Sequence, residues 1–447
     1  MNIPQFLIAA PHSGSGKTLF TLALLRLLSN RGLKVQPFKC GPDYLDTQLH
    51  KIAAHNESYN LDLFMMDSQG IKRRYAKEVC TADAAIVEGV MGMFDGYHLT
   101  QGSSAEVAQT LSIPVILVMN AKAMAHSAAA LLKGFATYQQ GVNLAGVVFN
   151  FVGSASHYSL LKAAAEEIGV EPLGWIAANS SLRVESRHLG LQTDNYDEID
   201  AICENAAELI LQNVNIDRLL ELSSMPKPAI EPSILQNKSH RLQAAVAKDA
   251  AFNFIYPANI EALQQVADIT YFSPLVDKVL PKVDFVYLPG GYPELHAEQL
   301  SANTAMIDAI RAYSNSDGRI LAECGGMIYL GSHLTLKDET TYPMANIFQF
   351  GTTFANARCK LGYRQAQVGK HTIKGHEFHY SRSEGMLPQS AAEIKSATNR
   401  STETGIYVHK NTVASYFHLY WGDSSMSIIS ILDAIINANS QQVESNG

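Results

Sequence analysis

Short apolar runs separated by longer stretches of mixed character organise the first half of the chain. Gln5–Ala10, Ala84–Val87, Pro114–Met119 and Leu144–Phe149 are nearly unbroken apolar segments of four to six residues. Strands that are buried on both faces read this way, whereas half-exposed strands alternate. Between these runs, Leu19–Asn30, Ala123–Tyr138 and Ser159–Ile168 have helix-like spacing. Strand and helix patterns that alternate in this order predict an α/β fold with a mainly parallel sheet covered on both faces.

The pattern lapses and then resumes. Ser223 to Ser233 carries three prolines and few large apolar residues, which predicts a linker over 216–240. Apolar runs return at Leu242–Ala247, Asp284–Leu288 and Arg319–Ala322, each followed by a turn or helix pattern. The expected organisation is therefore a first α/β domain over 1–215 and a second over 241–440.

Composition narrows the classes. A chain of 447 residues is long enough for two or three separate cores, and 47% apolar with 17% charged residues is ordinary for a water-soluble protein. The net charge of −8 excludes a general nucleic-acid binder, which needs a basic excess to displace counterions from phosphate. No run reaches the roughly 18–20 apolar residues that span a bilayer, and the first residues lack a basic leader, so no membrane association is expected. Five scattered cysteines without metal-ligand spacing predict free thiols in a reducing cytoplasm.

Two segments carry chemistry. The first is Ser13-Gly14-Ser15-Gly16-Lys17-Thr18, directly after one predicted strand and directly before a predicted helix. Its glycines let backbone N–H groups approach phosphate oxygens at a helix N-terminus, Lys17 can reach the terminal phosphates, and Thr18 can hold Mg²⁺. Pro11 stands where the usual pattern has its first glycine. An ATP site also needs acids at strand ends. Glu88, closing the Ala84–Val87 run, and Asp43 are the candidate metal ligands, and Asp46 and Asp95 are candidates for facing the substrate.

The second is Ile320-Leu321-Ala322-Glu323-Cys324-Gly325-Gly326, an apolar strand running into a tight turn. That arrangement suits a nucleophile elbow with Cys324 exposed at its tip. An ordinary thiol is only a few per cent ionised at neutral pH, so an imidazole must come from elsewhere in the chain. His376, His379 and His418 are the candidates. Gly291, in Leu288-Pro289-Gly290-Gly291, and Gly325 offer backbone N–H groups for an oxyanion hole.

Eight segments in this order resemble the cobyrinic acid a,c-diamide synthases, a family of glutamine-dependent amidotransferases. They are Ala-Pro-His-Ser-Gly-Ser-Gly-Lys-Thr, Gly-Pro-Asp-Tyr-Leu-Asp, Glu-Gly-Val-Met-Gly-Met-Phe-Asp-Gly, Ser-Arg-His-Leu-Gly-Leu, Leu-Pro-Gly-Gly-Tyr-Pro-Glu, Ala-Glu-Cys-Gly-Gly-Met, Gly-His-Glu-Phe-His-Tyr-Ser and Ala-Ser-Tyr-Phe-His-Leu. The resemblance implies a dethiobiotin-synthetase-like P-loop domain followed by a class I-type glutaminase domain with a Cys–His pair in place of a full triad. It makes Cys324 the nucleophile and His418 its base, and leaves the segment with His376 and His379 a structural or interdomain role.

Three positions depart from the family pattern. Asn120 stands where Asp is usual, Phe151 follows Asn150 where Arg is usual, and the last segment continues His-Leu-Tyr-Trp. Asn150 remains a candidate for contact with adenine. The implied reaction is ATP- and Mg²⁺-dependent amidation of the c and a acetate carboxylates of cobyrinic acid, with ammonia released from glutamine and carried along a closed path. Lys39, Arg183, Arg187 and His188 are candidate partners for the substrate's carboxylates. The implied partners are small molecules, with neither nucleic acid nor membrane, and a homodimer is compatible with the family. Hydrogenobyrinic acid or nickel sirohydrochlorin as substrate, a partitioning-type P-loop ATPase with a vestigial glutaminase domain, and a glutaminase with a regulatory nucleotide domain are the alternatives.

Overall fold

The structure, a computed structural model, describes residues 1–177, 196–229 and 241–446. The chain divides into two compact units, Met1–Ser233 and Ile234–Gly447. The first is built on strands β1 (Asn2–Ala9), β2 (Val35–Cys40), β3 (Tyr59–Leu61), β4 (Ala84–Glu88), β5 (Val115–Asn120), β6 (Leu144–Val152) and β7 (Glu171–Ala177). They form one sheet in the order β3-β2-β4-β1-β5-β6-β7, every pair parallel. Parallel strands need crossovers, and helices on the two faces explain why β2 and β4 are buried along their whole length. Helix α1 (Lys17–Asn30) is apolar nearly all round and packs with Phe6, Ile8, Ile86 and Ile116 in one core.

The centre of this sheet is where the strand order reverses, with β4 on one side of β1 and β5 on the other. Ligands of such sheets bind beyond the strand carboxyl ends at that reversal. The Ala10–Gly16 loop leaves β1 at this point, and Glu88 is the last residue of β4.

Residues 216–226, expected to open the linker, belong to the first unit instead. Ile216–Leu222 is a helix whose Leu219 is fully buried, and β8 (Ser224–Pro226) pairs antiparallel with the start of β1. Pro226 stands at a sheet edge, where a missing N–H costs little. Residues 230–240 of the expected linker lie outside the described residues. The helix expected over Ala123–Tyr138 is shorter, Ala128–Thr137, because Ala123 adopts positive φ in a turn.

The second unit has a sheet ordered β10 (Ala267–Phe272), β9 (Leu242–Ala247), β11 (Phe285–Leu288), β12 (Arg319–Glu323), Thr412–Ser415 and Ile406–His409. All neighbours are parallel except the last pair. Apolar cores cover both faces. The sequence pattern gave no sign of the long hairpin Lys360–Val368 with His371–His379, which pairs with the two-residue strand His418–Leu419.

Candidate active sites

In the first unit the loop after β1 enters α1 through Gly16, at φ 96°, with Gly14 at φ 80°. L side chains rarely adopt these values, so glycine is required on backbone grounds. A Cβ at Gly16 would also lie 2.1 Å from Asn150 Nδ2. Asn150 is buried and braces the loop: its Nδ2 donates to the Ser15 carbonyl (3.0 Å) while its Oδ1 accepts from the Phe151 amide (2.8 Å). Ser15 Oγ donates to the His12 carbonyl (2.9 Å), closing the turn, and Ser13 lies exposed at its tip. Lys17 Nζ donates to the Met91 carbonyl (2.5 Å), which draws the Glu88–Asp95 segment against the loop.

Thr18 Oγ1 donates to Glu88 Oε1 (2.7 Å), so the first turn of α1 and the end of β4 present two hard oxygens side by side. Glu88 has no exposed surface and is held by Lys39 at Oε1 (2.8 Å) and by His50 at Oε2 (2.7 Å). Burial acts to raise its pKa, but Lys39 and His50 prevail and keep the carboxyl well below its ordinary range. Lys39 also contacts Asp46, and His50 Nδ1 reaches Ser58 Oγ (3.1 Å). A hydroxyl and an ionised carboxylate beside a backbone phosphate cradle match the donor set of Mg²⁺ held jointly with a nucleotide. The residues present fit that ion.

In the second unit Cys324 stands between β12 and the helix Gly325–Leu330 at φ 46° and ψ −101°, a strained conformation for a side chain other than glycine. Its amide donates to the Ser415 carbonyl (2.7 Å), which fixes the elbow to the neighbouring strand. The Pro289–Gly291 turn approaches so closely that a Cβ at Gly325 would lie 3.1 Å from the Gly291 amide. A Cβ at Gly290 would lie 2.3 Å from His418 Cε1. The elbow and the imidazole thus converge on one turn.

His418 is 1% exposed and its ring stacks on His376, centroids 4.9 Å apart and planes at 13°. His376 Nδ1 meets the Tyr256 hydroxyl (3.0 Å). Glu323, fully buried, accepts from the Leu419 amide (2.9 Å) and the Tyr287 hydroxyl (2.7 Å), with its Oε2 4.0 Å from His418 Nδ1. Burial pushes the Cys324 thiol far up, with Glu294 adding to it, and pushes His418 well down, with His376 adding to it. Cys324, expected at an exposed tip, is instead buried, and the site disfavours the charged form of thiol and imidazole alike. The cause is desolvation, which disfavours either charge.

Residues 6–191 match the family described as the CobQ/CobB/MinD/ParA nucleotide binding domain, and residues 243–426 match that described as the CobB/CobQ-like glutamine amidotransferase domain. The cobyrinate a,c-diamide synthase of Salmonella typhimurium is 40% identical over 437 residues, 93% of this chain and 95% of that protein. That of Streptococcus sanguinis is 37% identical over 451 residues, 97% of this chain and 100% of the relative. That of Caldanaerobacter subterraneus subsp. tengcongensis is 37% identical over 432 residues, 93% and 94% of the two chains. The chain belongs to the cobyrinate a,c-diamide synthase family.

Several residues have partners other than those expected from the sequence. Lys39, a candidate for the substrate's carboxylates, is completely buried on Glu88 and Asp46, and Asp46 is buried with it. A cation beneath two acids in a dry site is retained as their counter-charge. Asp43, a candidate metal ligand, accepts from the Leu45 and Asp46 amides through Oδ1 (2.9 and 3.0 Å), which caps helix α2 (Leu45–Ala54). Asn150 faces the loop backbone, as described above. Asp95 is exposed and Oδ2 accepts from the Gly92 amide (2.9 Å). Arg183, Arg187 and His188 lie outside the described residues.

His50, Glu323, Tyr256 and Tyr287 were not assigned a role from the sequence. For His50 a signal existed, since it follows Asp46 by four positions on α2 and so shares its face. Glu323 closes a strand straight after the apolar run Ile320–Ala322, which flags a buried carboxylate that needs partners. The tyrosines come from distant segments and carry no local mark. Among the described residues no helix is long and apolar enough to cross a membrane, and all five cysteines are free.

Proposed function

We propose that this protein catalyses ATP-dependent amidation of the a and c acetate carboxylates of cobyrinic acid, with nitrogen from glutamine or ammonia, in cobalamin biosynthesis. The observation that carries this reading is identity of 37–40% with cobyrinate a,c-diamide synthases across 93–97% of the chain, with both chemical segments inside the matched domains. The geometry of each site supports it.

In the second unit, glutamine binds beside Cys324. The thiol proton passes to His418 as sulfur attacks the side-chain carbonyl carbon, so that no separated thiolate–imidazolium pair must form beforehand in a dry site. Amides of Gly291 and Gly325 bear the oxyanion. His418 returns the proton to the leaving nitrogen, ammonia departs, and water hydrolyses the thioester to glutamate.

In the first unit, backbone N–H groups of Ser13–Gly16 together with Lys17 hold the ATP phosphates. Thr18 and Glu88 would hold Mg²⁺, which would supply charge neutralisation for the phosphates. Lys39 and His50 keep Glu88 ionised and oriented. The substrate carboxylate attacks the γ-phosphorus, ADP leaves, and ammonia displaces phosphate from the acyl phosphate to give the amide. Asp95, exposed on the segment that Lys17 draws in, is available to the substrate side. A cytoplasmic enzyme with small-molecule partners accords with this chemistry, and so does a homodimer.

The test is purified protein offered cobyrinic acid, hydrogenobyrinic acid or nickel sirohydrochlorin with ATP, Mg²⁺ and glutamine, with products weighed by mass spectrometry. Two successive losses of about 1 Da from cobyrinic acid, one per acid converted to amide, are expected. Rapid amidation of a rival and none of cobyrinic acid would refute the substrate assignment.

A further inference from the structure

His418 lies on a strand that supplies no acid to orient it. Tyr420, two positions on, donates its hydroxyl to Asp423 (2.5 Å) and packs its ring edge-on against Tyr256. An imidazole that must accept a proton at one nitrogen works best when the other is oriented by a fixed group. An acid stands beside the ring from another element, one residue before the nucleophile, while Glu377 acts on the ring through its charge.

Glu323 ends β12, with its side chain 1% exposed. Its two oxygens are fixed by groups from two other elements. Oε1 accepts from the Leu419 amide, which ties the acid to the residue after His418, and Oε2 accepts from the Tyr287 hydroxyl on β11. Asn259 anchors the same strand on its other side: its Nδ2 donates to the Leu419 carbonyl (2.9 Å) and its Oδ1 accepts from the Trp421 amide (2.9 Å). His418 therefore cannot shift along its strand without breaking bonds at Glu323 and at Asn259. A carboxylate this dry is costly to maintain unless its position serves something.

We propose that Glu323 is the positioning residue of the thiol site: held by the Leu419 amide and the Tyr287 hydroxyl, its carboxylate lies 4.0 Å from Nδ1 of His418, beyond hydrogen-bond reach, and its charge biases the ring so that the opposite nitrogen takes the Cys324 proton. It fills, from the strand before the nucleophile, the part that the segment after His418 lacks. The proton travels from Cys324 to His418 and on to the departing ammonia, and none moves to Glu323. This inference rests on the glutamine-hydrolysing role proposed for the second unit.

The experiment compares wild type, Glu323→Gln and Cys324→Ser. It is run at pH 9, above the value of about 8 to which burial pushes the Glu323 carboxyl, so that the acid is ionised. Gln keeps the shape and an acceptor for the Leu419 amide but removes the charge. We expect kcat for glutamine hydrolysis to fall about tenfold or more with KM for glutamine little changed, because base orientation acts on the chemical step. Synthesis from added ammonium chloride, measured in the same preparations, should stay near wild type.

A Glu323→Gln enzyme with unchanged kcat, or a loss that falls on KM alone, overturns the inference. Should that variant fail to accumulate as folded protein, Glu323→Asp replaces it: the charge is kept but drawn back by one methylene, and kcat should again fall with KM preserved. An unchanged kcat there also overturns it. If wild type hydrolyses no glutamine, or Cys324→Ser hydrolyses it as well as wild type, the parent reading fails instead.

Discussion

Gly290→Ala is the sharpest steric test of the thiol site. The added Cβ would lie 2.3 Å from His418 Cε1, whereas non-bonded carbons settle at about 3.5–4.0 Å, so more than 1 Å must be found. The turn cannot easily supply it, because the Gly290 carbonyl accepts from the Asn253 and Phe254 amides (3.1 and 3.0 Å). The ring is also confined, since it stacks on His376 and His418 is paired with His376 across two strands. Gly290 has no positive φ, so the backbone itself tolerates alanine. A displacement of about 1 Å in a catalytic group costs roughly 100-fold in rate, about 2.7 kcal/mol of barrier. Glutamate release should fall by that order, while ammonia-dependent synthesis by the same preparation should be little altered. Overpacking should cost about 1–3 kcal/mol of stability, visible in chemical denaturation. A folded Gly290→Ala enzyme that hydrolyses glutamine at the wild-type rate would refute the placement of His418 as the base.

Two further outcomes follow from the buried charges. Lys39→Met leaves Glu88 and Asp46 buried without their cation and should cost about 3–5 kcal/mol, read from urea denaturation; a loss below about 1 kcal/mol would contradict the counter-charge role. His376 is pushed down to about 3 by burial, reinforced by Arg364, so the folded chain refuses a proton that the unfolded chain takes up below about pH 6.5. Stability should fall as pH drops from about 6.5 towards 3, with His376 contributing about 2 kcal/mol of loss by pH 5, and His376→Gln should remove that share. An unaltered pH slope in His376→Gln would contradict this.

The sheet of the first unit was legible because strands buried on both faces are written as unbroken apolar runs, as at Pro114–Met119. The short β3, whose Tyr59-Asn60-Leu61 carries a polar centre, left no such trace, and neither did the Lys360–His379 hairpin, where polar and apolar positions alternate irregularly. Pro226 misled in the other direction: a proline beside serines reads as linker, yet at a sheet edge it forms a strand with β1. Glycines and the nucleophile were readable because their chemistry is local: Gly16, Cys324 and Gly325 each act within their own turn. Lys39, Asp46 and Asn150 were recognised as polar residues near chemistry, but their partners come from tertiary packing. A sequence does not distinguish a cation aimed at a substrate from one buried under two carboxylates. His50 and Glu323 show the converse, side chains whose roles exist only once distant strands are brought together.

The coupling of the two chemistries is tested most directly by following nitrogen. Enzyme would be given cobyrinic acid, ATP, Mg²⁺, glutamine labelled with ¹⁵N in the side-chain amide, and unlabelled ammonium chloride, and the diamide weighed by mass spectrometry. Wild type should place ¹⁵N in both new amides, and Cys324→Ser should form the same diamide from the unlabelled ammonium alone. A labelled product from Cys324→Ser, or a wild-type product carrying no label, would contradict the account.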